Sequence, residues 1–305
     1  MFEKILVPLD GSPLAELALP YAEEIGSKLG SELILLGVCD SGSSNLEHIY
    51  RCYLDSKCEE ICDRIKKHHE IAGDKLTVRR VIITERPQDE IVGHASHVVE
   101  LGRPAGDILD YIEKSDVDLV TMSTHGYSGV KRWVLGSVAN GIIRGTNKPV
   151  LLIRASEDMP TIQTTETFSK ILLPLDGSEL AEVVLPYIEE LVLKLKAEVY
   201  LLHVMENSSH LFYLNEDEMR RAREAAKNYL DRTRERLLDK GLAIKSDAKV
   251  GRVADEICRY ADKIDAGLIA MSTHTRAGLG LMLGSVADEV IRHTKTPVLV
   301  MPGQK

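Results

Sequence analysis

The stretch that decides the fold is KILVPLDGSPLAELALPYAEEI at Lys4–Ile25, which returns as KILLPLDGSELAEVVLPYIEEL at Lys170–Leu191. In both copies a short apolar run rich in branched residues ends at Asp-Gly-Ser, which signals a turn and a helix cap. Apolar side chains then recur at helical spacing as far as Gly30, with Pro20 inside the pattern. The repeat therefore predicts a strand that turns directly into one helix, twice in the chain.

Other matching segments keep the same order in both copies. DVDLVTMSTH at Asp116–His125 matches DAGLIAMSTH at Asp265–His274, and NKPVLLI at Asn147–Ile153 matches KTPVLVM at Lys295–Met301. Preserved order indicates a tandem duplication of one whole domain. A solenoid is excluded because solenoid repeats are only about 20–50 residues long, much shorter than this repeat.

The junction between the copies is polar. ASEDMPTIQTTETFS, at Ala155–Ser169, is nearly free of apolar residues, which is typical of a linker. We therefore expect a first domain at residues 1–154, a linker at 155–168 and a second domain at 169–305. The first domain also carries an insertion around 77–98, which could be a hairpin or a lengthened loop.

Composition excludes several classes of protein. The formal net charge of −9 argues against binding to a nucleic-acid backbone, since that needs a basic face. No apolar run is long enough to cross a bilayer, and no secretory signal is visible, so we expect a cytoplasmic protein without a membrane partner. The five cysteines are interpreted as reduced structural thiols, although Cys58 and Cys62 with His68 and His69 leave a metal site conceivable.

Strands that alternate with helices predict a parallel α/β sheet covered on both faces, and such sheets bind ligands beyond the carboxyl ends of their strands. Three stretches of the first copy are expected there: Pro8–Ser12, Val38, and Met122–Gly126, which leads on to Gly136–Ser137. A Gly-Ser at a helix N-terminus offers N–H groups, a hydroxyl and the positive end of the helix dipole, which suits an anion. Asp10 could hold a ribose hydroxyl or a magnesium ion.

Each of these signals also has a purely structural interpretation. Gly136–Ser137 could simply begin a helix, Asp10–Ser12 could be only a turn, and Met122 could be a core residue. His125 recurs in both copies, but no Ser or Cys nucleophile can be placed beside it, which favours a structural histidine. There is no Walker A loop and no Gly-x-Gly-x-x-Gly after the first strand, and we predict no catalytic residue.

Together the motifs resemble the universal stress protein family in its tandem, two-domain type. The resemblance covers nearly the whole chain and rests on VPLDGS, GRPA, DLVTMSTHG, LGSVA and KPVLLI, in the order and spacing of the family. It implies two doubly wound domains, each a five-stranded parallel sheet in strand order 3-2-1-4-5. It also implies an ATP site with the pattern Gly, two residues, Gly, nine residues, then Gly-Ser or Gly-Thr.

In the first copy this pattern maps onto Ser123, Gly126 and Gly136–Ser137, so that only the first glycine is replaced. Lys131 and Arg132, in the intervening loop, could help to bind phosphates. The resemblance implies ATP as the ligand, with Mg²⁺ possible near Asp10. The implied contact residues are Pro8, Asp10, Val38, Met122, Ser123, Gly126, Gly136, Ser137 and Val138.

The second copy departs from the pattern in two ways. Thr275 stands where the first copy has Gly126, and only eight residues separate it from Gly284. We interpret this copy as a degenerate, weaker site, although Gly278 and Gly280 could let the loop take another path to phosphate. The implied residues of this weaker site are Pro174, Asp176, Val204, Met271, Ser272, Gly284, Ser285 and Val286.

The expected function is that of a stress-response sensor or regulator that binds ATP, or a related adenine nucleotide, mainly in the N-terminal domain. ATP hydrolysis would at most be slow, because no general base or arginine finger is evident. A protein-interaction module of the same fold that binds no nucleotide is the alternative, and a true hydrolase or nucleotidyl transferase is less favoured. The final strands, Val150–Ile153 and Val298–Met301, are expected to pair within one chain as a pseudo-dimer; a homodimer of chains and the regulatory partner stay open.

Overall fold

The computed structural model describes most of both repeats. The described residues are 1–39, 44–68, 76–84, 104–126, 135–154, 167–206, 216–273 and 283–302. Most of the insertion and of the expected linker lies outside these ranges, as do His69, Lys131, Arg132, Thr275, Gly278 and Gly280. None of the described helices combines the length and the apolar character needed to cross a membrane.

The first half alternates strands and helices from its first residues onward. Its elements are β1 (Lys4–Pro8), α1 (Pro13–Glu16), α2 (Leu19–Leu29), β2 (Glu32–Cys39), α3 (Ser44–His68), β3 (Thr77–Thr84), α4 (Pro104–Lys114), β4 (Leu119–Ser123), α5 (Ser137–Gly145) and β5 (Val150–Ile153).

The second half repeats the same order of elements. They are β6 (Lys170–Pro174), α6 (Glu179–Glu182), α7 (Leu185–Leu195), β7 (Glu198–Glu206), α8 (Glu216–Leu238), β8 (Ala243–Gly251), α9 (Val253–Ile264), β9 (Leu268–Thr273), α10 (Ser285–His293) and β10 (Val298–Pro302).

The prediction of a single helix after β1 is wrong, because the structure has two helices there, α1 and α2. Pro20 lies in the first two positions of α2, where a missing N–H costs no helical hydrogen bond. In the interior of a continuous helix the same proline would remove such a bond and clash with the preceding turn. At the other end α2 stops at Gly30, whose left-handed φ of 71° makes it a C-cap.

The ten strands within the described residues form one continuous sheet, in the order β3-β2-β1-β4-β5-β10-β9-β6-β7-β8. Each half therefore has the order 3-2-1-4-5, which confirms the expected fold. Within each half the neighbouring strands are parallel, whereas β5 and β10 pair antiparallel, with Leu151 opposite Leu299. The intrachain pseudo-dimer is confirmed, and the apolar core on each face of the sheet contains residues of both halves.

Two aromatic pairs join the halves in a reciprocal arrangement. Phe2 of the first half packs on Tyr187 of the second, with ring centroids 6.0 Å apart, and Tyr21 of the first packs on Phe168 of the second at 5.9 Å. Phe2 and Phe168 occupy the same position in their repeats, as do Tyr21 and Tyr187. The contact therefore has the self-complementary character of a two-fold interface, although it is built within one chain.

A carboxyl group lies beside one of these aromatic pairs. Glu24 on α2 accepts a hydrogen bond from the N–H of Phe168, at 3.5 Å, at the start of the second half. Burial raises the pKa of Glu24 above its ordinary value of 4.5, and hydrogen bonds from Thr167 and Phe168 offset only part of that rise. Burial of this side chain therefore favours its protonated form, while the hydrogen bonds that it accepts from the second half favour the charged form.

Glu24→Gln is expected to remove a pH dependence of stability. A raised folded pKa means that the folded state binds the proton more tightly than the unfolded state, so the free energy of unfolding falls as the pH rises from about 4.5 through the folded pKa. Relative to the glutamine variant, the wild type should therefore lose stability between pH 4.5 and neutrality. Urea unfolding of both proteins across this range measures the difference; parallel profiles would contradict the argument.

Candidate functional site

The turn after β1 holds an aspartate in a defined orientation. Oδ1 of Asp10 accepts hydrogen bonds from the N–H of Ser12, at 3.0 Å, and from its hydroxyl, at 2.6 Å. The Ser12 hydroxyl oxygen in turn accepts from the N–H of Ala15 and caps α1. Gly11 between them has a φ of 82°, which explains a glycine at this point of the turn. The local sequence thus fixes Oδ1 and directs Oδ2 elsewhere.

The other oxygen of this carboxylate lies against Gly126, which follows β4. A Cβ at Gly126 would overlap Oδ2 of Asp10, so no larger residue fits there without moving the carboxylate or the loop. This contact joins the ends of β1 and β4, which are neighbours in the sheet. The structure therefore brings together two of the stretches that are predicted from the sequence to lie at this edge.

Gly136 places the N-terminus of α5 at the same edge of the sheet. Its N–H donates to the carbonyl oxygen of Thr124 at 2.9 Å, and a Cβ at this position would lie 2.8 Å from that oxygen. Gly136 is the N-cap of α5, and Ser137 is exposed in the first turn. The first N–H groups of a helix have no acceptor within it, so they are available to an anion at this edge.

Hydrogen bonds between β4 and Gly126 fix the path of the chain. The Ser123 hydroxyl donates to the carbonyl oxygen of His125, and the Thr124 N–H donates to Ile153 on β5 at 2.8 Å. Nδ1 of His125 lies 3.1 Å from the Thr124 hydroxyl. Ser123, the residue that replaces the first glycine of the expected motif, therefore stabilises this loop by a hydrogen bond within it.

An apolar wall completes the edge of the first half. Val38 at the end of β2, Met122 on β4 and Val138 in α5 all belong to the apolar cluster on one face of the sheet. Met122 is only 6% exposed, in keeping with its alternative interpretation as a core residue, whereas Val38 and Val138 are partly exposed. Pro8 ends β1 opposite Leu36. All nine residues expected for the first site thus lie at one end of β1, β2, β4 and α5.

The second half reproduces most of this arrangement. Oδ1 of Asp176 accepts from the N–H of Ser178 at 2.9 Å, and Gly177 has a φ of 87°. Gly284 is the N-cap of α10, as Gly136 is of α5. Pro174 ends β6, Ser272 lies on β9, and Ser285 is exposed at the start of α10. The matching apolar residues, in the same cluster as those of the first half, are Val204, Met271 and Val286.

The fold and these motifs agree with what comparison with known proteins shows. A sequence model of the universal stress protein family matches residues 1–154 and 167–302. The chain belongs to the universal stress protein family. Its tandem form has a counterpart in the universal stress protein Slr1230 of Synechocystis sp., which is 26% identical over 316 residues, covering 97% of this chain and 99% of the relative.

Single-domain relatives match half of this universal stress protein. MJ0577 of Methanocaldococcus jannaschii is 29% identical over 160 residues, covering 50% of this chain and 96% of the relative. The crystal structure of a universal stress protein from Archaeoglobus fulgidus covers 99% of both chains with a TM-score of 0.67. Because the sequence identity to that structure is 22%, it supports the fold alone.

The cysteines of this universal stress protein are free thiols. Among the described residues no group of three potential ligands could hold a metal ion, and Cys58 and Cys62 form no disulfide. Burial raises the pKa of Cys58 to about 11, and the nearby Cys62 adds to the rise, so its thiol is protonated at neutral pH.

One side chain beside the turn after β1 was not predicted. The hydroxyl of Tyr50, on α3, donates a hydrogen bond to the carbonyl oxygen of Asp10 at 3.2 Å. The two residues are 40 positions apart, and nothing in the helical pattern of α3 marks Tyr50 among the neighbouring tyrosines. Only a comparison of the two repeats, position by position along the long helix, could have drawn attention to it.

Proposed function

We propose that this universal stress protein binds ATP, or a related adenine nucleotide, at the edge formed by β1, β2, β4 and α5, and serves as a stress-response sensor or regulator. The observation that carries the proposal is the close approach of Gly126 to Asp10 beside the glycine N-cap of α5. Both positions exclude a Cβ, which leaves bare backbone for a phosphate chain to approach.

Each part of a nucleotide has a matching group at this edge. Val38, Met122 and Val138 supply an apolar wall for the base, with Pro8 at its border. Ser12 binds Oδ1 of Asp10, so Oδ2 is the oxygen proposed to accept a hydrogen bond from a ribose hydroxyl. The phosphates would lie along the backbone of Gly126 and Gly136 and at the Ser137 hydroxyl, with Ser123 holding the loop in place.

Bound Mg²⁺ would neutralise part of the triphosphate charge in such a complex. Its first ligands would be phosphate oxygens and water, because Mg²⁺ usually keeps several waters and takes few protein carboxylates. Asp10 is the carboxylate of the site that fits this role. The residues present are therefore compatible with ATP in its magnesium form.

The second half is proposed as the weaker site. Thr275 has the sequence position of Gly126, at which a Cβ in the first half would overlap the turn aspartate; the counterpart of that aspartate in the second half is Asp176. The loop that follows is also one residue shorter before Gly284. Gly284 and Ser285 keep a helix mouth that suits an anion, so this half is expected to bind a smaller anionic ligand or none.

The role proposed is regulatory rather than catalytic. His125 is tied to its neighbour Thr124, and its ring lies in a loop held by backbone hydrogen bonds. Fast phosphoryl transfer needs a group that orients the nucleophile and a cation that stabilises the transition state. The described residues of the edge include neither, so any hydrolysis at this site is expected to be slow.

Nucleotide binding is tested on the purified, full-length protein. The protein is denatured and any released nucleotide is identified by chromatography; separately, thermal unfolding is followed with and without ATP and Mg²⁺. At about 100 times Kd, ATP should stabilise the protein by about 2.7 kcal/mol. If no nucleotide is released and millimolar ATP leaves Tm unchanged, the protein is an interaction module that binds no nucleotide.

A further inference from the structure

The two halves differ in how the long helices, α3 and α8, contact the edge of the sheet that is proposed to bind the nucleotide. In the first half α3 lies against β2, and the ring of Tyr50 covers Gly37: a Cβ at Gly37 would lie 2.9 Å from Cδ1 of the ring. The hydroxyl of the same tyrosine reaches the Asp10 carbonyl oxygen. Tyr50 therefore bridges the end of β2 and the turn that carries the ribose-side carboxylate.

The second half exchanges the sizes of these two residues. Glycine is replaced by His203, and the tyrosine by Ala226, which is buried. The equivalence of the helices is fixed by a contact present in both: Tyr53 donates to Glu16 and Tyr229 to Glu182, each at 3.0 Å. In the first half the strand carries the small residue and the helix the large one, and in the second half the sizes are reversed.

The exchange also moves the hydrogen bond to a different residue of the turn. In the second half Nδ1 of His203 lies 2.8 Å from the carbonyl oxygen of Leu175, the residue before Asp176. Since a carbonyl only accepts, His203 must donate through a protonated Nδ1. The restraint therefore acts on the aspartate itself in the first half and on its neighbour in the second.

We infer that Tyr50 is a positioning residue for ribose recognition, which orients Asp10 by holding its main chain so that Oδ2 is presented to the ribose hydroxyls. Three contacts then fix the aspartate: Ser12 at Oδ1, Gly126 beside Oδ2, and Tyr50 at the carbonyl oxygen. The carboxylate is in place before the ligand arrives, which lowers the entropy lost on binding. In the second half Ala226 takes the place of this tyrosine, so the same hydrogen bond cannot be made to Asp176.

The chemistry of Tyr50 suits this role. Burial raises the pKa of its hydroxyl above the ordinary value, and the nearby Cys39 and Asp10 raise it further. The hydroxyl thus remains protonated and able to donate throughout the neutral range. Because the ring is held on Gly37, loss of the hydroxyl alone should leave the packing of α3 unchanged.

The inference rests on the proposed nucleotide site, and the test uses Tyr50→Phe with Tyr53→Phe as its matched control. Both residues lie on α3, and each hydroxyl donates one hydrogen bond, to Asp10 and to Glu16 respectively. Affinities for ATP and for 2′,3′-dideoxy-ATP, which lacks both ribose hydroxyls, are measured by calorimetry on the full-length proteins. The unliganded Tm of each variant shows whether its fold is intact.

Tyr50→Phe should weaken ATP binding about fivefold, because Asp10 must then be ordered when the ligand binds, and should leave the affinity for the dideoxy nucleotide unchanged. Tyr53→Phe should change neither affinity. Equal ATP affinity of Tyr50→Phe and wild type, or an equal loss for both nucleotides, would overturn the role assigned to Tyr50. If the wild type binds neither nucleotide, the proposed function itself fails. The wild-type measurement therefore tests the proposed function separately from the role of Tyr50.

Discussion

Gly136→Val is expected to abolish the rise in Tm that ATP and Mg²⁺ produce. The N–H of Gly136 is held by the Thr124 carbonyl oxygen, and a Cβ at Gly136 would lie 2.8 Å from that same oxygen. The obstacle is main chain rather than the end of a flexible side chain, so the loop or the start of α5 must move. The two further methyl groups of valine would then occupy space beside the first N–H groups of the helix. The whole stabilisation, about 2.7 kcal/mol at about 100 times Kd, should be lost.

The matched control for this variant is Gly284→Val, at the equivalent N-cap in the second half. Both variants are compared with wild type by thermal unfolding, first without ligand and then with ATP and Mg²⁺. The unliganded Tm separates damage to the fold from loss of binding. We expect Gly284→Val to keep most of the ATP-induced shift. If Gly284→Val abolishes the shift and Gly136→Val keeps it, the site belongs to the second half.

Phe168→Ala is expected to be among the most destabilising single substitutions, at about 3–5 kcal/mol. The side chain is 1% exposed, packs on Tyr21 of the other half, and belongs to the last residue of the expected linker. Its removal leaves a cavity in the core shared by both halves, next to the Glu24 carboxyl that accepts the Phe168 N–H. Urea unfolding followed by circular dichroism measures the loss.

Two comparisons sharpen the interpretation of this variant. Phe2→Ala, at the reciprocal position, should cost a similar amount because Phe2 is equally buried and packs on Tyr187. Leu193→Ala, at a side chain 56% exposed on α7, should change stability by no more than about 0.5 kcal/mol. A loss below about 1 kcal/mol for Phe168→Ala would mean that the halves are stable independently of this contact.

Much of the fold could be predicted from the sequence because the chain contains two copies of each signal. The apolar runs ending at Asp10 and Asp176 predict strand, turn and helix by local chemistry alone, and the order of the repeats predicts two equal halves. The break between α1 and α2 was missed because apolar spacing continues through Pro20. Periodicity reports which face is buried, not whether the helical hydrogen bonds continue.

The candidate site could be predicted in outline but not in its contacts. The motif spacing indicates that Gly126 and Gly136 belong together, yet it does not reveal that the missing Cβ of Gly126 faces Asp10. Contacts of this kind depend on how the ends of neighbouring strands are offset. The part played by Tyr50 depends on how α3 is rotated above Gly37, which is a property of packing between distant segments.

The antiparallel pairing of β5 with β10 has a genetic consequence. In an assembly of two identical chains, a mutation in the gene alters the same residue in both subunits, so both copies of a loop change together. Here the two faces of the junction are encoded by separate stretches of one gene, and they remain joined whatever happens to either loop. Selection can therefore preserve Gly126 in one half while it tolerates Thr275 in the other. In the same way the second half can carry His203 and Ala226 while the first half keeps Gly37 and Tyr50.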